Sequence, residues 1–259
     1  MKCFARKDDK SKLKSLYNIC FPGESGFCNS FFENVWRPEK TLLYKIDGEI
    51  AAMLQMLPCT MSDGEKEYSA YYIFAAATHP EYRSRGIMTE LIQYSFEINQ
   101  DKDLCVLIAA EETLKNYYAR LGFKEGFYFD EINVKACASG IRYEKTSDFN
   151  AVNSIYEENM RGKIHNKRSI FDWRMNLLCS DAEIYIGSGS YIVAEKYNSK
   201  IYISEAVGDF AESLAAQFLY DFGVCDAVAV IPGKNRSLGM YRGIKCDEIP
   251  CGFINMMFN

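Results

Sequence analysis

Two Asp-Gly pairs, Asp47-Gly48 and Asp63-Gly64, constrain the fold of this chain more than any other feature. The first stands between apolar runs over Thr41–Ile46 and Glu49–Leu57, and the second leads into the long run Tyr68–Thr78. An Asp-Gly pair between two apolar runs is typical of a tight β-hairpin, because both turn residues adopt a positive φ. The sequence therefore predicts a meander of three strands.

Helices and further strands surround this meander. Apolar residues at helical spacing predict one helix that opens at Asp9 and a second that ends before Pro38. An amphipathic helix, a buried strand and another helix are predicted next, over Gly86–Asn99, Leu104–Ala110 and Thr113–Arg120. Gly126 is expected to divide Gly122–Val134 into a pair of strands. This order indicates the α/β class, with an α+β mixed sheet that carries helices on its faces.

The composition excludes several classes of protein. Of the 259 residues, 14% are aromatic, which is too many for a disordered chain. Acidic residues outnumber basic ones in both halves, so the chain lacks the basic surface that binds nucleic acid. No apolar run approaches the ~18 residues of a membrane span, and the charged first ten residues do not resemble a signal peptide. We therefore expect a cytoplasmic protein that binds neither nucleic acid nor membrane.

The ten cysteines are interpreted as reduced thiols. No Cys-x-x-Cys pair occurs and the chain has two histidines, so we expect no metal site. Cys105 and Cys225 lie in apolar runs and are expected to be small core residues.

The second half of the chain partly repeats the first. Trp36-Arg37 matches Trp173-Arg174 at an offset of 137, whereas Ile108 matches Ile231 and Tyr118 matches Tyr241 at 123. The falling offset means that about fifteen residues are missing from the middle of the second copy. We predict two tandem domains, a complete one over residues 1–137 and a degenerate one over residues 138–259.

A basic loop that contains a glycine joins the third strand of the meander to the next helix. The first turn of a helix leaves backbone N–H groups unpaired, and the helix dipole favours anions there. Gly86 lets a ligand approach the backbone closely, and Arg83 and Arg85 add charged donors. The pattern is typical of a pyrophosphate cradle. An ordinary strand-to-helix turn with solvated arginines fits the pattern alone equally well.

Two motifs resemble those of the GNAT acetyltransferase family. Arg83–Met88 is similar to motif A, Arg/Gln-x-x-Gly-x-Gly/Ala, with Met88 in place of the last small residue. Tyr118–Phe123 resembles motif B, Tyr-x-x-x-Gly-Phe. The resemblance covers roughly residues 1–135 and implies a GNAT fold, with two tandem GNAT-like domains of which the second lacks the pyrophosphate loop. The chain is distantly similar to the Eis type, but it is too short for the extra C-terminal domain of that type, so the Eis substrate is not carried over.

The resemblance implies that the first domain binds acyl-CoA and catalyses its reaction. The pantetheine arm would pair with the backbone of Ala76, Ala77 and Thr78, where two strands of the family splay apart. The residues implied for the pyrophosphate are Arg83, Ser84, Arg85, Gly86, Ile87, Met88 and Thr89. Tyr118 corresponds to the family's general acid, which protonates the CoA thiolate, and Tyr117 is interpreted as structural. The degenerate domain would pack beside the first and wall the acceptor cleft.

The sequence offers no obvious general base. Many members of the family place a Glu on the strand before motif A, but Tyr71–Thr78 contains no carboxylate. Glu67, Glu111 and Glu112 lie near this strand and the next one, and are more typical of solvated acids. Glu111 also stands where many members carry an Asn, seven residues before the tyrosine of motif B.

The expected function is that of an N-acetyltransferase that uses acetyl-CoA as cosubstrate and no metal. Its acceptor would be a primary amine of a small molecule or a peptide, which attacks the thioester directly. Two alternatives stay open. The missing base and Met88 favour a non-catalytic acyl-CoA-binding or interaction module, and a Fem-like acyl- or aminoacyltransferase would prefer another acyl donor.

Overall fold

The structure, a computed structural model, describes residues 1–197 and 200–255. Over these residues the strands are β1 Lys2–Phe4, β2 Thr41–Ile46, β3 Glu49–Ser62, β4 Glu67–Thr78, β5 Leu104–Ile108, β6 Lys124–Lys135, β7 Glu144–Thr146, β8 Ile164–Asn166, β9 Glu183–Gly187, β10 Ser190–Tyr197, β11 Lys200–Val207, β12 Asp226–Pro232, β13 Arg236–Gly243 and β14 Gly252–Phe253. The α-helices are α1 Lys10–Cys20, α2 Ser25–Asn34, α3 Ile87–Ile98, α4 Glu112–Arg120, α5 Phe149–Asn159, α6 Ile170–Ser180 and α7 Ala211–Asp221. None of the helices in these ranges is long and apolar enough to cross a membrane.

One sheet runs through both halves of the chain. Its strand order is β1-β2-β3-β4-β5-β13-β6-β12-β11-β10-β9-β7. β2, β3 and β4 form the predicted antiparallel meander, and β4 then pairs in parallel with β5. Helices α1 and α2 pack on one face of the first half, and α3 and α4 pack on the other. The predicted mixed α/β architecture is confirmed.

A strand from the second half completes the sheet of the first half. β13 lies between β5 and β6, where Tyr241 pairs with Val106 on one side and with Lys124 on the other. β6 pairs in turn with β12, so strands from the two halves interleave. The domain boundary at residues 137/138 stays a prediction, because a single sheet extends across it.

Two details of the predicted elements are wrong. Gly126 does not divide a pair of strands, because β6 continues through it. A Cβ at Gly126 would lie 2.6 Å from the ring of Tyr241, so the glycine makes room for the inserted strand β13. Cys105 is fully buried as expected, but Cys225 is exposed because it lies in the turn before β12. All ten cysteines are free thiols.

The internal repeat is visible in the order of the helices and strands. Comparison of the two copies also shows where the second half is shorter. Apart from the short strand β8, the elements from β7 to β12 come in the same order as those from β1 to β5, with α7 in the place of α3. β10 and β11 have eight residues each, where β3 and β4 have fourteen and twelve. The segment before α7 is residues 208–210, where residues 79–86 precede α3. The match of Tyr118 with Tyr241 is wrong, because Tyr118 lies on α4 and Tyr241 on β13.

Candidate active site

The sheet opens between β4 and β5. The two strands pair only where Ala70–Ile73 face Leu104–Leu107, and β4 continues to Thr78 without a partner in β5. Ala75 has a φ of 48°, a left-handed conformation that alanine rarely adopts, and the register with β3 shifts there. This β-bulge turns the end of β4 away from β5, since an extra residue bends the strand that carries it. The edge of Ala76, Ala77 and Thr78 that faces the opening is left free of ladder bonds.

The loop after β4 leads into α3, and the N-terminus of this helix is uncapped. Ser84 has a φ of 61° and Gly86, the N-cap residue of α3, has a φ of 75°. Within the described chain, no side chain caps the N-terminus of α3 by a hydrogen bond. The first backbone N–H groups of the helix, from Ile87 to Thr89, therefore point out of the helix without intrahelical acceptors. Together with the helix dipole, they form a site suited to a phosphate group.

Of the two arginines of the loop, Arg83 bonds to the end of β4 and Arg85 bonds to the loop itself. The Nε of Arg83 donates to the carbonyl of Thr78 at 3.1 Å. The Nη2 of Arg85 donates to the carbonyl of Glu81 at 2.9 Å, and the guanidinium lies 5.4 Å from the ring centroid of Tyr82. Both side chains are exposed, and Nη2 of Arg83 also donates to the Sγ of Cys20 at 4.0 Å. The Arg83 bond ties the loop to the end of β4, and the two segments predicted to bind acyl-CoA therefore adjoin.

Two tyrosines of α4 lie next to this opening and have different surroundings. The hydroxyls of Tyr117 and Thr89 are 3.1 Å apart, which joins α4 to the first turn of α3. Tyr118 is 8% exposed, and its ring packs edge-on against Tyr117 and Phe123 at 5.2 and 5.8 Å. Its hydroxyl makes no hydrogen bond to any described residue. Burial, and to a smaller extent Tyr117, raises the pKa of Tyr118 to about 12, so the phenol stays protonated at neutral pH.

The three glutamates considered as bases all lie on the surface. Glu67 pairs with Lys167 at 2.6 Å, and Glu112 pairs with Lys115 at 2.6 Å. Glu111 accepts a hydrogen bond from the hydroxyl of Thr113 at 3.2 Å. Their roles as solvated acids agree with the interpretation from the sequence. In residues 1–197 and 200–255, no group of three or more His, Cys, Asp or Glu side chains is arranged to hold a metal ion.

A cavity of about 560 Å³ lies between the two halves of the chain. Its walls come from residues 35–40, from residues 57–60 of β3 and from residues 166–176. Tyr72 of β4 also lines it and is 3% exposed. Tyr72 directly precedes Ile73, the last residue of β4 that pairs with β5, so this side of the cavity lies beside the opening between the two strands. No local motif indicates this cavity, because the two halves of the chain contribute segments that are far apart in sequence.

Comparison with known proteins agrees with the two motifs. Residues 4–126 match the family model of the acetyltransferase (GNAT) domain. The structure is similar to that of a GCN5-related N-acetyltransferase from Anabaena variabilis ATCC 29413, with a TM-score of 0.74 and 16% identity over 94% of this chain and 72% of that one. Eis1 from Mycobacterium abscessus gives a TM-score of 0.68 and 12% identity over 95% and 74% of the two chains. Comparison with curated protein sequences gave no match.

A tandem arrangement is also found among the similar structures. A tandem GNAT protein from the clavulanic acid biosynthesis pathway has a TM-score of 0.55 and 11% identity, over 96% of this chain and all of that one. At these identities the likeness concerns the fold, and it extends over nearly the whole chain. The predicted GNAT fold and the resemblance to tandem and Eis-type proteins are thereby confirmed. Residues 4–126 thus match the GNAT acetyltransferase domain, and the chain as a whole has a GNAT fold.

Proposed function

We propose that this protein is an N-acetyltransferase that moves an acetyl group from acetyl-CoA to a primary amine of a small molecule or a peptide. One observation carries the proposal. The opening between β4 and β5 adjoins the uncapped N-terminus of α3, and the protonated phenol of Tyr118 is buried beside both. An anion site, a free strand edge and a proton donor thus adjoin one another, which suits a phosphorylated, amide-containing thioester such as acetyl-CoA.

Acetyl-CoA, the donor that the family uses, fits these residues. Its pyrophosphate would bind the N–H groups of α3 with the loop Arg83–Thr89 around it. Space is available there, because a Cβ built on Gly86 meets no atom within 4 Å. The amide groups of the pantetheine arm would bond to the free edge of Ala76–Thr78, as a third strand between β4 and β5. The thioester would then lie deep in the opening, on the side of Tyr118.

The proposed reaction is a direct transfer that needs two proton movements. The amine nitrogen attacks the thioester carbonyl carbon, so that a C–N bond forms while the C–S bond breaks. The amine loses a proton, and the departing thiolate of CoA gains one. Removing the proton from an amine with a pKa of about 10.4 costs roughly 4–5 kcal/mol at pH 7. Tyr118 serves the other end by donating its phenolic hydrogen to the sulfur as negative charge develops there.

The high pKa of Tyr118 limits what the phenol does before the bond breaks. Full transfer of a proton from a phenol with a pKa of about 12 to a thiolate with a pKa near ~8.5 is uphill by roughly 5 kcal/mol. We therefore expect Tyr118 to donate a hydrogen bond to the sulfur, and this bond strengthens as the C–S bond breaks. Proton transfer is completed when the proton from the amine reaches the site, so that no tyrosinate accumulates.

A non-catalytic acyl-CoA-binding module is the second candidate. The observation that favours it is the absence of any carboxylate in Tyr71–Thr78, together with the surface positions of Glu67, Glu111 and Glu112. Such a module would bind acetyl-CoA in the same opening and release no CoA with any amine. The two candidates therefore differ in turnover and agree in binding.

Release of CoA thiol with a panel of amines tests the proposal, and its pH dependence is predictable. The rate constant kcat/KM is expected to rise as the amine loses its proton. Because Tyr118 is protonated below about pH 12, its ionisation should cause no fall below roughly pH 10. A descending limb between pH 7 and 9 would assign the acid role to another group. Tight acetyl-CoA binding without any thiol release would establish the second candidate instead.

The cradle is tested by replacing Gly86 with alanine. The positive φ of Gly86 makes the substitution strained by about 1 kcal/mol, without a clash inside the protein. The new methyl group would instead stand in the space through which the pyrophosphate approaches, so acetyl-CoA affinity should fall roughly 10-fold or more in calorimetry.

Gly48→Ala is the matched control for this variant. Gly48 lies in the β2–β3 hairpin with a φ of 85°, and a Cβ there also meets no atom within 4 Å. It carries similar strain at a distance from the cradle, so it should bind acetyl-CoA as the wild type does. Equal affinity of Gly86→Ala and Gly48→Ala would place the pyrophosphate elsewhere.

A further inference from the structure

The cavity between the two halves carries an unequal distribution of charge. Its lining includes four cations, Arg37, Lys40, Lys167 and Arg168, and two carboxylates, Glu67 and Asp172. Lys167 is neutralised by Glu67 at 2.6 Å. Arg168 is neutralised by the buried Glu205 outside the cavity, through two bonds of 2.6 and 2.9 Å. After these pairs are removed, Arg37, Lys40 and Asp172 are left.

The two remaining cations lie on the wall that the first half contributes. Within the described residues, no carboxylate oxygen lies within 4.0 Å of the Arg37 guanidinium or of the Lys40 ammonium group. Arg37 uses one nitrogen, Nη1, to donate to the carbonyls of Val35 and Trp36 at 3.2 and 2.8 Å. Those bonds fix the guanidinium at the end of α2 and leave its other nitrogens for a ligand. Both side chains are exposed, as a subsite that exchanges with solvent requires.

Asp172 lies on the wall that the second half contributes. Its Oδ2 accepts hydrogen bonds from the backbone N–H and the hydroxyl of Ser169, both at 2.7 Å, within the cap of α6. The single carboxylate does not balance Arg37 and Lys40, and it belongs to a different segment of the lining. The unpaired charge on the first-half wall is therefore positive.

We propose that the amine accepted by this protein also carries an anionic group, a carboxylate or a phosphate, which binds Arg37 and Lys40. The inference rests on the proposed acetyl transfer and adds a substrate class to it. The size of the cavity fits, because small-molecule sites occupy about 300–1,000 Å³. With its anionic end held by Arg37 and Lys40, such a molecule can place its amine at the Tyr72 side of the cavity, beside the opening between β4 and β5. Arginine and lysine are the side chains that bind carboxylate and phosphate through charged hydrogen bonds.

Matched pairs of amines test the substrate class. Glycine is compared with glycinamide, and O-phosphoethanolamine with ethanolamine, by the initial rate of CoA thiol release from acetyl-CoA. We expect the anionic member of at least one pair to have a kcat/KM at least ~10-fold above that of its neutral counterpart. The pair with the larger ratio distinguishes carboxylate from phosphate. Equal or better use of both neutral members overturns the proposal.

Variants of Arg37 and Lys40 test whether the preference for anionic amines arises in the cavity. Lys40→Gln and Arg37→Gln should each reduce the ratio between anionic and neutral amines several-fold, and leave acetyl-CoA affinity unchanged. The exposed side chain of Lys40 makes no hydrogen bond or ion pair to any residue that the structure describes, so its variant stays informative if Arg37→Gln unfolds. The control is Lys12→Gln, which removes an exposed lysine that pairs with Glu49 on the surface. A preference that survives in Lys40→Gln and Arg37→Gln overturns the assignment.

A binding experiment separates failure of this inference from failure of the proposed transfer. N-acetylglycine and N-acetylglycinamide resemble two reaction products and differ by one charge. Calorimetry in the presence of CoA should detect tighter binding of N-acetylglycine to the wild type than to Lys40→Gln. If that difference is found while no amine releases CoA, the anion subsite stands and acetyl transfer falls. If neither compound prefers the wild type and the amine pairs are used equally, the subsite falls while transfer stands.

Discussion

Replacing Tyr118 by phenylalanine is expected to lower kcat by roughly 10²-fold and to leave acetyl-CoA affinity within about twofold of the wild type. The ring of Tyr118 packs against Tyr117 and Phe123, and phenylalanine preserves these contacts. The hydroxyl has no hydrogen-bond partner among the described residues, so its removal leaves no buried group unpaired. The expected fall in kcat therefore reflects the loss of the proton donor for the leaving sulfur and not a change in the fold.

The measurement is the rate of thiol release at saturating acetyl-CoA, with calorimetry for donor binding. Tyr117→Phe is the matched control, because the same atom is removed from the adjacent residue. That variant breaks the contact with Thr89 across α3 and α4, and should change affinity more than kcat. Unchanged turnover in Tyr118→Phe would remove Tyr118 from the acid role. A fall in kcat that is equal in both variants would assign it to a general disturbance of α4.

Replacing Glu205 by glutamine is expected to destabilise the protein by about 3–5 kcal/mol. The side chains of Arg168 and Glu205 are 1% and 0% exposed, and the hydroxyl of Tyr191 also donates to Glu205 at 2.5 Å. The guanidinium lies 3.8 Å from the ring centroid of Tyr156, so no water replaces the lost carboxylate on that side. An amide of the same size would leave a buried positive charge without its counterion, which is the costly case for an ion pair.

Thermal unfolding tests this expectation, with a fall in Tm of roughly 10 °C. Arg168→Met combined with Glu205→Leu removes both charges and should be less destabilised than Glu205→Gln alone, since no uncompensated ion is left. Lys12→Gln breaks an exposed pair with Glu49 and should leave Tm nearly unchanged. If Glu205→Gln unfolds at the wild-type temperature, Arg168 and Glu205 do not hold the second half together. A double variant less stable than the single one would contradict the charge argument.

Local features of the sequence predicted the parts of the fold that depend on neighbouring residues. The turns at Asp47-Gly48 and Asp63-Gly64 join β2, β3 and β4. Both residues of the first pair have the positive φ that a two-residue turn needs, whereas in the second turn, residues 63–66, Gly64 alone has one. The predicted helix after the basic loop begins at Ile87, directly after Gly86. The loop with its uncapped helix could also be predicted, since a short motif determines its backbone.

Contacts between distant segments could not be predicted in the same way. The residue type of Gly126 predicts a break between two strands, but Gly126 lies inside β6 opposite the ring of Tyr241. The match of Tyr118 with Tyr241 was based on spacing and paired a helix with a strand. Arg37, Tyr72 and Asp172 belong to no catalytic or binding motif of the sequence. They line one cavity only because the two halves of the chain pack together.

The meander, the loop from Arg83 to Gly86 and the resemblance of two motifs to one family follow from the sequence alone, because turn chemistry and helix starts depend on residues a few positions apart. Three features depend on the packing of distant segments: β13 completes the first sheet, β4 parts from β5 near Ala75, and a cavity with cations on one wall lies beside that opening. The physical reason is that apolar periodicity specifies which face of a strand is buried but not which distant strand pairs with it. The distribution of charge also depends on contacts between distant residues. The net charge of −5 gives no indication of an acceptor, whereas the ion pairs around the cavity leave a positive wall.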